Sequence, residues 1–272
     1  MTSAAVSAFV SRPTPFPAEF AAIVGAPAIQ VAMDEEAAPF LPDAVHPAAE
    51  GITALAEPID VGRARFYALQ TAGGNPFVLV RAGIGLVNAA AAATLALAVL
   101  KASAIVSAGS AGGLRQDVNV GDVAVGRDFT FTDADGTAFG YVRGQVPGMP
   151  ESYPGAEALI ARAQTTPIPQ VADEVEGASV AAGQLLVGQM LAGGSFVTAH
   201  NVGDARQAFP SALSTDMETT AIAQVAWSIG VPMTAVRGIS DLCGPAADQD
   251  FHLSLDVVAV RSAAVALGAL GL

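Results

Sequence analysis

Short apolar runs punctuated by glycine and polar turns recur along the chain, and alanine-rich stretches of helical length follow several of them. Ala28 to Met33 reads as a buried strand entering a turn at Asp34-Glu35-Glu36, with a helix starting over Ala37 to Leu41. Phe66 to Gln70 and Pro76 to Val80 read as paired strands around Gly73-Gly74-Asn75, because glycine and asparagine accept the positive φ of a hairpin turn. Arg81-Ala82-Gly83-Ile84-Gly85 then leads into Val87 to Leu100, whose alanine content favours a helix. The unit repeats with a strand at Ala104 to Ser107, a glycine turn over Gly109 to Gly113 and a new strand at Gly121 to Val125.

Thr137 to Pro150, rich in glycine, proline and aromatics, predicts a long loop with a role of its own. Beyond it, Gly155 to Gln164 reads as a helix, Ala181 to Val187 as a strand and Gly193 to Asn201 as a loop. Thr219 to Ile229 reads as a helix, Val231 to Gly238 as a strand, Ser240 to Asp250 as a loop and Leu255 to Leu270 as a closing helix. This alternation predicts a three-layer α/β/α sandwich around a central mixed, twisted sheet. Neither an internal repeat nor a linker divides it. Residues 28–272 are therefore expected to form one domain, preceded by residues 1–27 as a proline-broken arm or extension.

Composition narrows the class. Hydrophobic residues make up 52% of the 272 and charged ones 14%, ample for a large core and far from a disordered chain. Glycine, proline or charge interrupts every apolar stretch before membrane-spanning length, so no membrane partner is expected. The net charge of −13, from 12 Lys and Arg against 25 Asp and Glu, opposes nucleic acid and anionic lipid alike. Cys243 has no partner for an internal disulfide, and His46, His200 and His252 lack metal-ligand spacing. No metal or other cofactor is expected, and with no secretory pattern in Met1 to Pro17 a cytoplasmic setting fits.

Several segments together, in order and spacing, resemble the 5′-methylthioadenosine/S-adenosylhomocysteine nucleosidases, a branch of the nucleoside phosphorylase/hydrolase family. They are Ala32-Met33-Asp34-Glu35-Glu36, Gly83-Ile84-Gly85, Gly109-Ser110-Ala111-Gly112-Gly113-Leu114, Thr137-Ala138-Phe139-Gly140-Tyr141 with Gly144-Gln145-Val146-Pro147-Gly148, Asp216-Met217-Glu218-Thr219-Thr220-Ala221, and Val236-Arg237-Gly238-Ile239-Ser240-Asp241. The resemblance implies a nucleoside phosphorylase-like fold and hydrolysis of a 5′-thio-substituted adenine nucleoside to adenine and the corresponding thioribose. Such a reaction needs an acid to assist the departing purine, a base to prepare water on the opposite ribose face, and an anchor for the sugar as positive charge grows on it. Three carboxylates match those positions in the family. Asp241 is implied as the donor to purine N7, which requires it to hold a proton, a state that burial favours. Glu36 is implied to activate water, and Glu218 to accept hydrogen bonds from the 2′ and 3′ hydroxyls.

Around them the resemblance implies Met217 beside the sugar, Ser240 supporting the N7 contact, and Arg237 with Ser110 in the water-side network. Phe196 and the Val197 backbone are implied as the adenine platform. Met33, Phe139, Pro147 and Leu255 are implied to line the 5′ pocket, with Phe139 and Pro147 reaching the neighbouring site of a homodimer. The chain departs from the family in two places. Ala192-Gly193-Gly194-Ser195 stands where relatives have Ser-Gly-Asp before the stacking phenylalanine, and Leu255 stands where an aromatic is common.

Taken singly, these residues have plainer readings. Glu36 suits the first turn of any helix, Glu218 a solvated helix end, and Asp241 a turn or helix cap. Arg237 within an apolar strand is either a buried partner of the acids or an edge-strand residue. Cys243 reads as a small buried hydrophobe. Rival functions are a phosphorylase of the same fold, an aminodeoxyfutalosine hydrolase, and a non-catalytic nucleoside-binding protein. Ser107 stands where phosphorylase relatives carry an arginine, which favours water over phosphate.

Overall fold

Two-residue alternation in the central strands decides which side chains face which layer. In β1 (Ala28–Val31) and β5 (Pro76–Arg81), Ala28, Val78 and Val80 join one buried cluster, whereas Ile29, Val31, Phe77 and Leu79 join the other. The first cluster packs under α2 (Leu86–Thr94) and α5 (Thr219–Ile229). The second packs under α3 (Glu157–Thr165) and α6 (Ala247–Leu270). The result is a large mixed sheet flanked by helices on both faces, in a computed structural model that describes residues 14–43, 50–171, 183–244 and 247–272, with no side-chain detail for 247–254.

The remaining elements are α1 (Asp34–Ala37), α4 (Val202–Ala208), and the strands β2 (Thr53–Ala54), β3 (Ile59–Val61), β4 (Ala64–Gln70), β6 (Ile105–Gly113), β7 (Val123–Phe131), β8 (Tyr153–Pro154), β9 (Leu185–Ala192), β10 (Ser214–Asp216) and β11 (Met233–Asp241). Along the sheet the order is β10-β9-β7-β11-β6-β1-β5-β4-β2. β10 also returns to pair antiparallel with β6, through Ser214↔Gly113 and Thr215↔Gly112, so one end of the sheet closes on itself. β1, β5, β6 and β11 run parallel, and the crevice beyond their carboxyl ends is where open α/β sheets place ligands.

Several elements differ from the sequence expectation. The first helix begins at Asp34 rather than Ala37, because the Glu36 side chain turns back to accept the Met33 amide and satisfies the helix start. The expected glycine turn at Gly109–Gly113 is strand, paired with β11 on one side and β10 on the other. β11 likewise continues past Gly238 to Asp241 through a register shift at Ser240, so the expected loop begins later. The expected strand Ala181–Val187 is observed as Leu185–Ala192, with residues 181–182 outside the described residues. β10 and α4 escaped the pattern because three and seven residues are too few to show a period.

Residues 1–27 are described from residue 14, and there they are packed. A 3₁₀ helix over Ala18–Ile23 buries Phe20 and Ile23, and Phe16 meets the Phe66 ring edge-on at 4.9 Å between centroids. Each such side chain contributes roughly 1.5–3 kcal/mol. His46 and the His252 side chain lie outside the described residues. Among the described residues no helix is long and apolar enough to cross a membrane.

Candidate active site

A cavity of about 600 Å³, counting its open mouth, lies at the carboxyl ends of the parallel strands. Ala32, Met33 and Glu36 reach it from the turn after β1, and Ile84 from the loop after β5. Ser110, Ala111 and Gly112 of β6 form its floor, with Thr215 to Glu218 on one side and Ser240, Asp241 and Cys243 on another. Ser195, Phe196 and Val197 of the loop after β9 complete the wall. Most of the expected site residues therefore converge: Met33, Glu36, Ser110, Phe196, Val197, Met217, Glu218, Ser240 and Asp241.

Glu36 is 2% exposed and both its carboxylate oxygens accept hydrogen bonds, one of them from a hydroxyl that can rotate away. Oε2 accepts the amides of Ala32 and Met33 at 2.9 and 3.2 Å, while Oε1 accepts the Ser110 amide at 2.8 Å and its hydroxyl at 3.0 Å. Gly109 makes this possible: its φ of +137° suits glycine, and an added Cβ would run into Glu36 Oε1 and lie 2.8 Å from Arg237 Nη1.

Arg237 is buried behind the cavity rather than lining it, in register with Gly109 on β6. It faces three acids: Asp216 at 3.3 Å, Glu218 at 3.7 Å and Glu36 at 4.0 Å. Its remaining donors go to Ser107 Oγ, Thr219 Oγ1 and the Ser110 carbonyl. Burial works against its charge, but Asp216, Glu218 and Glu36 outweigh burial and hold its pKa above the ordinary arginine value. The interior-partner reading of Arg237 is the one observed, and the edge-strand reading falls.

Asp216, adjacent to the acids expected from sequence, organises this corner. Its Oδ1 accepts the Glu218 and Thr219 amides at 2.8 and 2.7 Å, an Asx turn that fixes Glu218 at the entrance of α5. An aspartate shortly ahead of a helix start is a local Asx-turn signal, and it marks Asp216 in the sequence. Glu218 Oε1 accepts the Gly85 amide at 2.8 Å, a contact across 133 residues that no local pattern announces. Burial pushes the Glu218 carboxyl up to about 7; Arg237 opposes the rise, Asp216 adds to it, the Gly85 amide opposes it and Glu36 adds to it.

Asp241 stands at the end of β11, just past the irregularity at Ser240 that turns its side chain toward the cavity. Oδ1 accepts the Cys243 amide at 2.7 Å and Oδ2 the Ser240 hydroxyl at 3.0 Å. Gly112 clears the space between strands, since a Cβ there would strike Cys243 Sγ and lie 3.3 Å from Asp241 Oδ1. Burial, with Asp241 adding, pushes the Cys243 thiol up to about 12, so the sulfur is a neutral wall and not a nucleophile.

Besides Arg237, three expected residues are not on this wall. Phe139, 85% exposed, and Pro147, also exposed, lie on the surface loop, and Leu255 is buried in α6 without lining the cavity. Met33 and Ile84 supply apolar side chains to the cavity wall, the latter unforeseen.

A mixed α/β sheet with buried acids gathered at its strand ends defines a nucleoside-processing class of enzyme. Residues 27–271 match the family described as the phosphorylase superfamily, and the chain belongs to it, in its 5′-methylthioadenosine/S-adenosylhomocysteine nucleosidase branch. It is 36% identical over 212 residues, 78% of this chain and 87% of the relative, to the protein so named in Staphylococcus aureus. Among solved structures, it is similar to the nucleosidase of that name from Neisseria meningitidis in complex with methylthio-immucillin-A, at 30% identity and a TM-score of 0.75, covering 90% of this chain and 98% of that one. The Colwellia psychrerythraea nucleosidase in complex with adenine gives 28% and 0.76, covering 91% and 95%. A futalosine hydrolase from Helicobacter pylori, 24% identical with a TM-score of 0.75 and covering 90% and 97%, shares the fold.

Proposed function

We propose that the protein hydrolyses the N-glycosidic bond of 5′-methylthioadenosine and S-adenosylhomocysteine, releasing adenine and the 5-thio-substituted ribose. The observation that supports this most is that Glu36, Glu218 and Asp241, far apart in sequence, line one cavity. Glu36 lies over Gly109 and Ser110, and Asp241 over Gly112, which separates them by on the order of 10 Å along β6. That spacing leaves room for a ribose and a water between a base and an acid, as in inverting glycoside hydrolysis.

In this reading Asp241 donates a proton to purine N7. The Cys243 amide occupies Oδ1, which leaves Oδ2 as the oxygen to deliver a proton, and the Ser240 hydroxyl can turn its hydrogen to the Ala111 carbonyl 3.4 Å away. Glu36 takes a proton from water on the opposite face, and ionised Glu218 accepts the 2′ and 3′ hydroxyls while the sugar becomes cationic. Phe196 and Val197 form the base platform, and Met33 and Met217 pack beside the thioether and sugar. Phosphate is disfavoured as the nucleophile, because the Glu36 carboxylate already holds the Ser110 amide and faces Arg237, and Ser107 is committed to Arg237.

We further propose that residues 28–272 are the catalytic domain, residues 1–27 an extension of it, and the cytoplasm its setting. A homodimer would cover Phe139 and Pro147 and carry them to the neighbouring site. Incubation with 5′-methylthioadenosine, S-adenosylhomocysteine and inosine, with and without phosphate, tests the activity. Free adenine and free thioribose, independent of phosphate, are expected; a sugar 1-phosphate or no cleavage would refute it.

A further inference from the structure

We propose that Asp133 is a positioning residue for the base platform, setting from outside the loop how tightly the purine is held; the inference rests on the nucleoside reading of the cavity. The loop that carries Ser195, Phe196 and Val197 begins at Gly193-Gly194, so its root has no side chains with which to fix itself and much backbone freedom to lose. Its amides are held from elsewhere. The Gly193 amide donates to the Asp216 carbonyl at 3.1 Å, and the Gly194 amide to Asp133 Oδ2 at 2.8 Å.

Asp133 is well placed for this. β7 and β9 pair as far as Phe131↔Ala192, and the Thr132 amide still donates to the Ala192 carbonyl at 2.9 Å, so Asp133 is the next residue at the point where the two chains part. Arg143, from the segment that also bears Phe139, grips the Thr132 carbonyl at 3.2 Å and Asp204 of α4 at 2.9 Å, which steadies the backbone from which Asp133 projects. The glycines admit the carboxylate closely: a Cβ on Gly193 would lie 3.3 Å from Asp133 Cγ, and one on Gly194 would lie 3.4 Å from Oδ2. Asp133 does not itself line the cavity, so it acts through the loop.

The test compares wild type, Asp133→Ala and Asp133→Asn by calorimetric binding of adenine and of 5-methylthioribose, and by KM and kcat for 5′-methylthioadenosine. Asn keeps an oxygen acceptor for the Gly194 amide and Ala does not. Asp133→Ala is expected to weaken adenine binding about tenfold, the scale of one lost hydrogen bond, and to raise KM similarly. Its kcat and thioribose binding should stay within about twofold of wild type, and Asp133→Asn should restore adenine affinity. Unchanged adenine affinity in Asp133→Ala, equal weakening of adenine and thioribose, or failure of Asp133→Asn to rescue overturns the positioning role while leaving the nucleosidase reading intact. A wild type that neither binds adenine nor cleaves the nucleoside overturns both.

Discussion

Gly109 and Glu36 occupy adjoining space so closely that any side chain on the glycine would collide with the carboxylate Oε1 and crowd Arg237 Nη1. The pair ties a strand to the turn after β1, and the collision predicts the outcome of a one-carbon change. Gly109→Ala should cost about 2–5 kcal/mol through overpacking and a disfavoured φ, and should abolish turnover by displacing Glu36. A denaturation midpoint and activity both equal to wild type would contradict the geometry.

Asp241→Asn and Glu36→Gln should each lower kcat by about 100- to 10,000-fold, the range of a lost general acid or base, without loss of fold. The two differ in binding. Glu36→Gln keeps the purine and sugar contacts, so its affinity for a nucleoside analogue should remain near wild type. Steady-state kinetics with titration of a non-hydrolysable analogue makes the comparison, and wild-type turnover in Asp241→Asn removes it as the acid.

The Glu218 carboxyl, raised from 4.5 to about 7, ties ribose binding to pH. Only the ionised form accepts both hydroxyls without donating, so KM should fall as pH rises through about 7. Stability moves the other way. The folded state binds the Glu218 proton more tightly than the unfolded chain, so this group's contribution is fully present below about 4.5 and is lost as pH rises through about 7. KM and denaturation midpoints followed from about pH 5.5 to about pH 8.5 should show both trends, and Glu218→Gln should flatten both.

Arg237 balances Asp216, Glu218 and Glu36 in the interior. Arg237→Met leaves those acids without their cation and should destabilise the fold by about 3–5 kcal/mol. The loss should shrink at lower pH, as protonated acids no longer need a counter-charge. Chemical denaturation at two pH values measures it; a loss that grows with acidity would contradict the assignment.

Phe139, at 85%, is the most exposed large hydrophobic among the described residues. If a second copy covers it, Phe139→Asp should shift the protein from dimer toward monomer in sedimentation and raise KM, with the subunit fold intact. A wild type that sediments as a monomer at all concentrations would end the dimer proposal.

The helix–strand alternation, the strands at Ala28 and Pro76 and the α5 span were readable in the chain, because period-2 runs, alanine-rich helices and glycine turns are local patterns, whereas the acids were readable only through the resemblance of their motifs to a family. The glycines of Gly109–Gly113 misled for the same reason: locally they signal a turn, yet pairing with β10 and β11 holds them in a strand whose bareness admits Glu36 and Asp241. Short elements such as β10 left no period to detect.

The resemblance of the motifs thus named the acids, and Arg237 was readable as one partner of them, but not which amides hold each carboxylate or that one guanidinium faces three of them. The Gly85 amide on Glu218, Arg237 against Glu36, and Asp133 beneath the loop after β9 join residues separated by 61 to 201 positions in the chain, counting Gly194 minus Asp133 and Arg237 minus Glu36. Sequence patterns report periodicity over a turn or a strand, whereas burial and charge balance depend on which distant segments the closed sheet brings together.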